Sequence, residues 1–433
     1  MDTPEIFKSF CTEIELDNFD DMTSTAGEIA KKLNKHYYEL DKDETSHLYI
    51  VGSVGRKTAV KNSSDLDIIF DLPDSIYKKY DAYTSNGQSS LLQEVKDILK
   101  ERYPNTKMRG DGQVVVIEFN KYTVELVPGF KQPDNRFKYP DTHDGGTWKY
   151  TDPLSEQEEC NNCNMNSGGI YLDFCHIIRC WKNNVGFEFG GLLIDTLVYN
   201  HFSDEDNYSD SSYDDYLVIL KNIFYYLKNQ NKDRSYWYAV GSNQQVHNSG
   251  NGAFVGKAKD AYSKLDTAIK KSEGVSDILY ELLGSDLFKP AALVLKEYQQ
   301  ATYRDTEQFI SELFPIDIRY SLQIDCKISQ NGWRDFYLLH FLQTGGLLKH
   351  NKKLDFFIKS TNCPHPYSIY WKVRNVGVEA QRRDCIRGQI RKTDKDHQRE
   401  STNFWGPHYV ECYLIKNSIC VARCRIDVPI GNC

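Results

Sequence analysis

Two aspartates one residue apart, Asp65 and Asp67, stand in the apolar stretch Asp65-Leu-Asp-Ile-Ile-Phe70, downstream of a Gly52-Ser53 pair. Strand residues two apart project to one side, so the two carboxylates would point together. Like charges on one face repel unless cations neutralise them. Oxygen ligands that leave room for water and phosphate suit Mg²⁺. A Gly-Ser turn can offer backbone N–H groups and a hydroxyl to a phosphate. A third acid, Glu125, lies inside the apolar run Tyr122-Thr-Val-Glu-Leu-Val127, where a carboxylate without a partner is costly. If that run lies beside the Asp65–Asp67 strand, Glu125 completes a three-carboxylate cluster.

Three carboxylates and a phosphate-holding turn match a two-metal phosphoryl or nucleotidyl transfer site. One ion would be shared with a triphosphate and neutralise the leaving group. The other would lower the pKa of an attacking hydroxyl. Asp65 and Asp67 would bridge both ions, and Glu125 would bind the catalytic ion and help take the hydroxyl proton. The expected cofactor is therefore a pair of Mg²⁺ ions, with Mn²⁺ as the alternative. The competing reading is solvated acids at a strand edge, with Glu125 facing outward.

Other residues carry weaker signals. Ser242 and Asn243, in the polar stretch Gly241-Ser-Asn-Gln244, could touch a base or ribose, or could simply be a surface loop. Cys160-Asn-Asn-Cys163 has metal-ligand spacing, with His143, Cys175, His176 and Cys180 near in sequence. No second Cys-x-x-Cys follows, and Cys175 and Cys180, five apart on a helix, do not easily face one ion. Residues 381–399 hold Arg382, Arg383, Arg387, Arg391, Lys392, Lys395 and Arg399. With Trp371, Phe404 and Trp405 they could bind a small molecule or RNA by phosphate contact and stacking. The alternative is a solvated loop balanced by Asp384, Asp394 and Asp396.

The elements that must position these residues follow from periodicity. Residues 4–42 read as helical, with Ile29, Leu33 and Tyr37 at four-residue spacing. Strands are expected at 46–51 and 65–72, a helix at 91–99, and a hairpin of 113–119 with 122–127 about Asn120-Lys121. Residues 147–153 read as a loop. Helices are expected at 169–183, 187–202, 216–227 and 256–270, with an acidic, Ser-rich loop at 203–215. Beyond Pro315 the texture changes. Residues 318–328 alternate strictly, and 353–358, 369–375, 408–415 and 418–428 read as further strands with a turn at Lys416-Asn417. The fold class is α+β. The expected division is a sheet lobe at 1–140, a helical lobe at 141–312 that completes the cleft, and an antiparallel β-sandwich-like domain at 316–433.

The 433 residues suffice for two or three cores, and a net charge of −8 argues against a uniformly basic nucleic-acid-binding surface. Twelve cysteines are scattered, several in apolar stretches, as in reduced thiols of a cytoplasmic protein. No apolar run reaches the ~18 residues of a membrane span, and the acidic start lacks a signal-peptide pattern.

Gly52-Ser53, Asp65-Leu66-Asp67 and Glu125 in Val124-Glu-Leu-Val-Pro-Gly-Phe130 resemble the signature of the polymerase-β-type nucleotidyltransferases. More narrowly, residues 25–300 are similar to the branch of oligoadenylate synthase, cyclic GMP-AMP synthase and the bacterial CD-NTases. Thr58-Ala59 and Ile178-Arg-Cys-Trp-Lys-Asn183 support that resemblance. Glu125 stands where many relatives have Asp. Tyr370-Trp-Lys-Val-Arg-Asn-Val-Gly377, Glu379-Ala380, Arg387-Gly388 and Phe404-Trp-Gly-Pro-His-Tyr-Val-Glu-Cys-Tyr413 resemble the adenylyl/guanylyl and SMODS C-terminal sensor domain. The resemblance implies a polymerase-β-type core with a helical lobe, and a cytoplasmic synthase of cyclic di- or trinucleotides in bacterial anti-phage (CBASS) signalling. It further implies nucleoside triphosphate substrates, triphosphate contacts from Arg179 and Lys182, and a product-activated effector protein. Two alternatives stand beside it: a template-independent synthase of linear oligonucleotides, and a nucleotide- or RNA-binding sensor with a silent core.

Overall fold

The computed structural model describes residues 3–63, 65–204, 208–289, 307–330, 335–383, 385–393 and 395–431. It divides into two compact units, residues 1–180 with 190–248 and residues 181–189 with 249–433. These units do not follow the expected three-way division, because helices from the expected middle lobe fall in both.

The first unit is built on a seven-stranded sheet. Strands β1 (Leu48–Ile50), β2 (Asp65–Asp71), β3 (Lys107–Asp111), β4 (Val114–Glu118) and β5 (Thr123–Lys131) run in the order β1-β2-β5-β4-β3. Strand β6 (Phe137–Asp141) pairs with β5 and with β7 (Thr147–Thr151). Only β2 and β5 pair in parallel among these strands; the other pairings are antiparallel. A parallel pair needs a long crossover, and the intervening chain supplies it with helices α4 (Asp74–Asp81) and α5 (Gly87–Arg102) and the β3–β4 pair.

Helices α1 (Thr3–Ile14) and α2 (Phe19–Tyr37) precede the sheet, so the expected continuous helix is broken between them. Helix α2 carries Met22, Ala26, Ile29 and Leu33 on one stripe, and α5 carries Leu91, Val95 and Leu99. Both stripes pack on Leu66, Ile68, Phe70, Val124 and Leu126 from β2 and β5 in one core. At about 1.5–3 kcal/mol per buried aliphatic or aromatic side chain, this core fixes which face of β2 turns inward. The odd-numbered residues take the other face, where Ile69 joins Val51 and Phe137 in a smaller cluster. Residues 147–151, expected as a loop, form β7 because they pair with β6 residue for residue, from Phe137↔Thr151 to Asp141↔Thr147.

Helices α6 (Pro153–Asn166), α7 (Ile170–Val185), α8 (Gly191–Asp204) and α9 (Tyr216–Lys228) follow, with a small pair of β8 (Tyr236–Tyr238) and β9 (Gln245–His247). Asp152 caps α6 by accepting the Ser155 N–H at 3.3 Å, with Pro153 at the first helical position.

The second unit contains α10 (Ala253–Lys271), α11 (Val275–Leu283) and a β-sandwich. One sheet has the order β11-β10-β12-β15, from β10 (Leu322–Ser329), β11 (Phe336–Tyr337), β12 (Lys353–Thr361) and β15 (His397–Ser401). The other runs β14-β13-β16-β17, from β13 (Ser368–Arg374), β14 (Ile390–Thr393), β16 (Gly406–Lys416) and β17 (Ile419–Ile430). Ile324, Cys326, Ile328 and Phe356 of the first sheet meet Trp371, Val410, Cys412 and Ile426 of the second in one core. The strict alternation of β10 is what lets one face stay inside. The β16–β17 turn falls at Asn417 and Ser418, both at positive φ, as a tight hairpin turn requires. Among the described residues no helix is long and apolar enough to cross a membrane.

Candidate active site

Parallel pairing of β2 with β5 sets Asp65 opposite Thr123 and Asp67 opposite Glu125. All three acids are half-buried and lie on the face opposite the α2–α5 core. The hairpin supplying Glu125 forms as expected, with Val116↔Glu125 and Glu118↔Thr123 in register. The condition under which Glu125 joins the two aspartates is thus met at the level of the backbone.

The Gly52-Ser53 turn meets the same strand. The Val51 N–H donates to the Asp67 carbonyl at 2.9 Å. Gly52 has φ +63, and a Cβ built there would lie 1.9 Å from Asp67 Oδ2. Only glycine allows that conformation and that approach together. Ser53 follows in a single helical turn, α3 (Gly52–Gly55), and its carbonyl accepts the N–H groups of Thr58 at 2.9 Å and Ala59 at 3.2 Å.

A buried ionic network braces this turn from behind. Arg56 donates from Nε to Asp195 Oδ2 and from Nη1 to Glu156 Oε2, both at 3.0 Å. Thr58 Oγ1 donates to Asp195 Oδ2 at 2.9 Å, and Arg179 Nη2 donates to the same oxygen at 2.8 Å. Burial alone would raise the Asp195 carboxyl, but Arg179 and Arg56 outweigh it and hold its pKa at about 2. Burial holds Glu156 above the usual carboxylate range, against the pull of Arg56. Ser242 Oγ completes the array by donating to Glu156 Oε1 at 3.1 Å.

The network corrects the expectation for Arg179. Its guanidinium is 6% exposed and also donates to the carbonyls of Gly191 at 3.0 Å and Cys175 at 3.2 Å. A cation so engaged holds the helices together and is not presented to a triphosphate. Lys182 is likewise buried and pairs with Asp317 at 3.4 Å. Neither forms the solvated basic face that was the plain alternative. Ser242 is half-buried on Glu156, whereas Asn243 is exposed at φ +54 in the tip of the loop. Sequence reasoning missed Arg56, Glu156 and Asp195. The one available signal was Asp195 inside the apolar run Leu192-Leu-Ile-Asp-Thr-Leu-Val198; Arg56 and Glu156 lie in polar stretches.

Other expectations resolve similarly. Cys160 is buried with Sγ 3.2 Å from the Tyr171 hydroxyl. Among the described residues no three His, Cys, Asp or Glu side chains stand together as a ready-made metal cage. Cys160 is a buried thiol and Cys163 a half-buried one. For Asp65, Asp67 and Glu125, backbone register supplies the proximity. The donor set suits Mg²⁺: hard carboxylate oxygens on two adjacent strands beside a glycine turn. Trp371 is 2% exposed in the sandwich core and cannot stack on a ligand. Arg382 and Arg383 pair with Glu379, and Arg387 pairs with Glu400 at 2.6 Å, so three of the seven basic residues of the run are engaged by acids flanking it. Asp384 and Asp394 lie outside the described residues.

Parts of this chain are similar to known proteins. Residues 1–164 match the Second Messenger Oligonucleotide or Dinucleotide Synthetase (SMODS) domain. Residues 304–431 match the adenylyl/guanylyl and SMODS C-terminal sensor domain. A probable cyclic nucleotide synthase of Bacillus cereus (strain VD146) is 20% identical over 205 residues, 41% of this chain; the match spans 60% of that relative's length. A structure of CdnC from E. coli MS115-1 with ATP is 17% identical and superposes over 67% of this chain and 99% of its own, at a TM-score of 0.52. A complex of the same CdnC with HORMA-deltaN gives 15% identity, 65% and 96% coverage, and a TM-score of 0.49.

Proposed function

We propose the following reaction from the premise that this chain belongs to the CD-NTase nucleotidyltransferases and carries an adenylyl/guanylyl and SMODS C-terminal sensor domain. It condenses nucleoside triphosphates into a cyclic di- or trinucleotide second messenger, releasing diphosphate at each transfer. Its setting is bacterial anti-phage (CBASS) defence, where the product acts on an effector protein.

The observation that carries this reading is the register of Asp67 with Glu125 on parallel neighbours, with Asp65 two residues away and Gly52 against Asp67. Asp65, Asp67 and Glu125 would hold two Mg²⁺ ions, which supply charge neutralisation at the phosphates and acidify the attacking hydroxyl. The chain's own residues do the rest. The β2–β5 pairing sets Asp67 beside Glu125, and Glu125 would take the hydroxyl proton. Gly52 lets the turn approach the phosphate from the side of Asp67, where backbone N–H groups and the Ser53 hydroxyl can receive it. The Arg56–Asp195–Arg179 array keeps that turn rigid, which preserves the alignment on which transfer depends. The CdnC structure determined with ATP supports a triphosphate substrate for this fold.

The test is incubation with radiolabelled triphosphates, omitted one at a time, with Mg²⁺ or Mn²⁺, followed by phosphatase treatment and mass spectrometry. Phosphatase-resistant rings are expected. Phosphatase-sensitive oligomers would replace this reading with a linear synthase, and no consumption of any triphosphate, alone or with phage lysate, would replace it with a sensor.

A further inference from the structure

The outer face of one sandwich sheet carries a groove of about 910 Å³, lined among others by Asp325, Tyr337, Leu339, His340, Phe357 and Lys359. Asp325 and Phe357 are cross-strand partners on β10 and β12, so both leave the sheet on the same side. That side faces away from the core filled by Ile324, Cys326 and Phe356. The short helix Leu338–Leu342 walls one edge.

Asp325 is 3% exposed. Its Oδ1 accepts the N–H groups of Cys326 at 2.8 Å and Leu339 at 3.1 Å, which fixes the carboxylate. Its Oδ2 lies 3.7 Å from Lys359 Nζ, longer than a hydrogen bond. Beside it, the rings of Tyr337 and Phe357 stand 6.1 Å apart at 72°, with Tyr337 51% exposed. Exposed aromatic rings on a sheet face are platforms for a planar ring. A fixed carboxylate beside them accepts and does not donate, so it selects a ring edge made of N–H groups. Guanine offers an imino and an amino N–H side by side. Adenine sets a ring acceptor next to its amine, and that acceptor would face the carboxylate. Lys359 supplies a cation for a phosphate.

We propose that this groove binds a guanine nucleotide, its base stacked on the exposed face of Tyr337 with the Phe357 ring at its edge, its N–H edge on Asp325 Oδ2 and its phosphate toward Lys359. The inference uses no residue of the acid triplet and stands whether or not the transfer reading does.

Calorimetric titration of the full chain with GMP and with AMP, in EDTA and without triphosphate, tests it. GMP is expected to bind one per chain and at least ten-fold more tightly than AMP. Phe357→Ala should weaken GMP at least ten-fold. Asp325→Asn keeps an oxygen for both backbone N–H groups and changes only the atom facing the ring. It should weaken GMP at least ten-fold and narrow the preference over AMP, with an unchanged melting temperature. No saturable GMP binding, equal affinity for the two nucleotides, or unaltered binding in Asp325→Asn would each overturn the proposal.

Discussion

Asp67 of β2 and Glu125 of β5 are register partners across a parallel strand pair, on the face opposite the α2–α5 core. Their proximity is a property of backbone pairing and so survives substitutions that keep the strands. Asp65→Asn combined with Asp67→Asn should therefore abolish product formation while leaving circular dichroism and melting unchanged. A double variant that still makes product would remove the carboxylates from the mechanism.

Gly52→Ala tests the approach of the turn. Its Cβ would meet Asp67 Oδ2 at 1.9 Å, and φ +63 is unfavourable for alanine. Displacement of a reacting group by about 1 Å can cost roughly 10²-fold in rate. Turnover should fall by about that factor, with a modest loss of about 1 kcal/mol from the backbone strain. Rate assays beside urea unfolding separate the two; a fully active Gly52→Ala would show that the close contact is dispensable.

Asp195→Ala leaves Arg56 and Arg179 buried without their shared counter-charge. Breaking a buried pair from one side costs about 3–5 kcal/mol, to be read as a lowered urea midpoint. Arg179→Lys should lower the melting temperature and leave KM for the triphosphate selectively unaffected. A large rise in KM with unchanged melting would return Arg179 to the substrate.

Stability should fall on mild acidification. Burial pushes the imidazoles of His176 and His201 down to about 4, from an ordinary value of 6.5. The unfolded chain therefore takes up these protons first. Their contribution is intact above about pH 6.5 and is lost progressively down to about pH 4. At pH 5 the loss is about 2 kcal/mol per histidine. Glu156 and Asp173, raised by burial, push the other way, so the histidine share is read from variants. Urea midpoints at pH 7.5 and pH 5 should differ less in His176→Gln and His201→Gln than in the parent. An identical difference in all three would refute the assignment.

Much of the architecture was legible because burial imposes a period. The alternation of β10, the hairpin carrying Glu125 and the apolar stripes of α2 and α5 are local patterns, and the structure keeps them. The acids shared a face by spacing alone. What a local pattern cannot express is a partner far along the chain. Whether β5 lay beside β2, and in which register, was decided by the core that Leu66, Ile68, Val124 and Leu126 fill together. Thr147–Thr151 reads as turn formers and becomes a strand only because β6 is there to pair with it. Arg179 looks the same in sequence whether it meets water, phosphate or Asp195. Folding, by setting α8 against α7, chose Asp195. Trp371 and Phe357 are both aromatic residues on strands, and only sheet packing put one in the core and the other at a groove. Spacing along the chain thus named the acids and their common face, while long-range pairing, driven by shared apolar burial, decided what stands beside them.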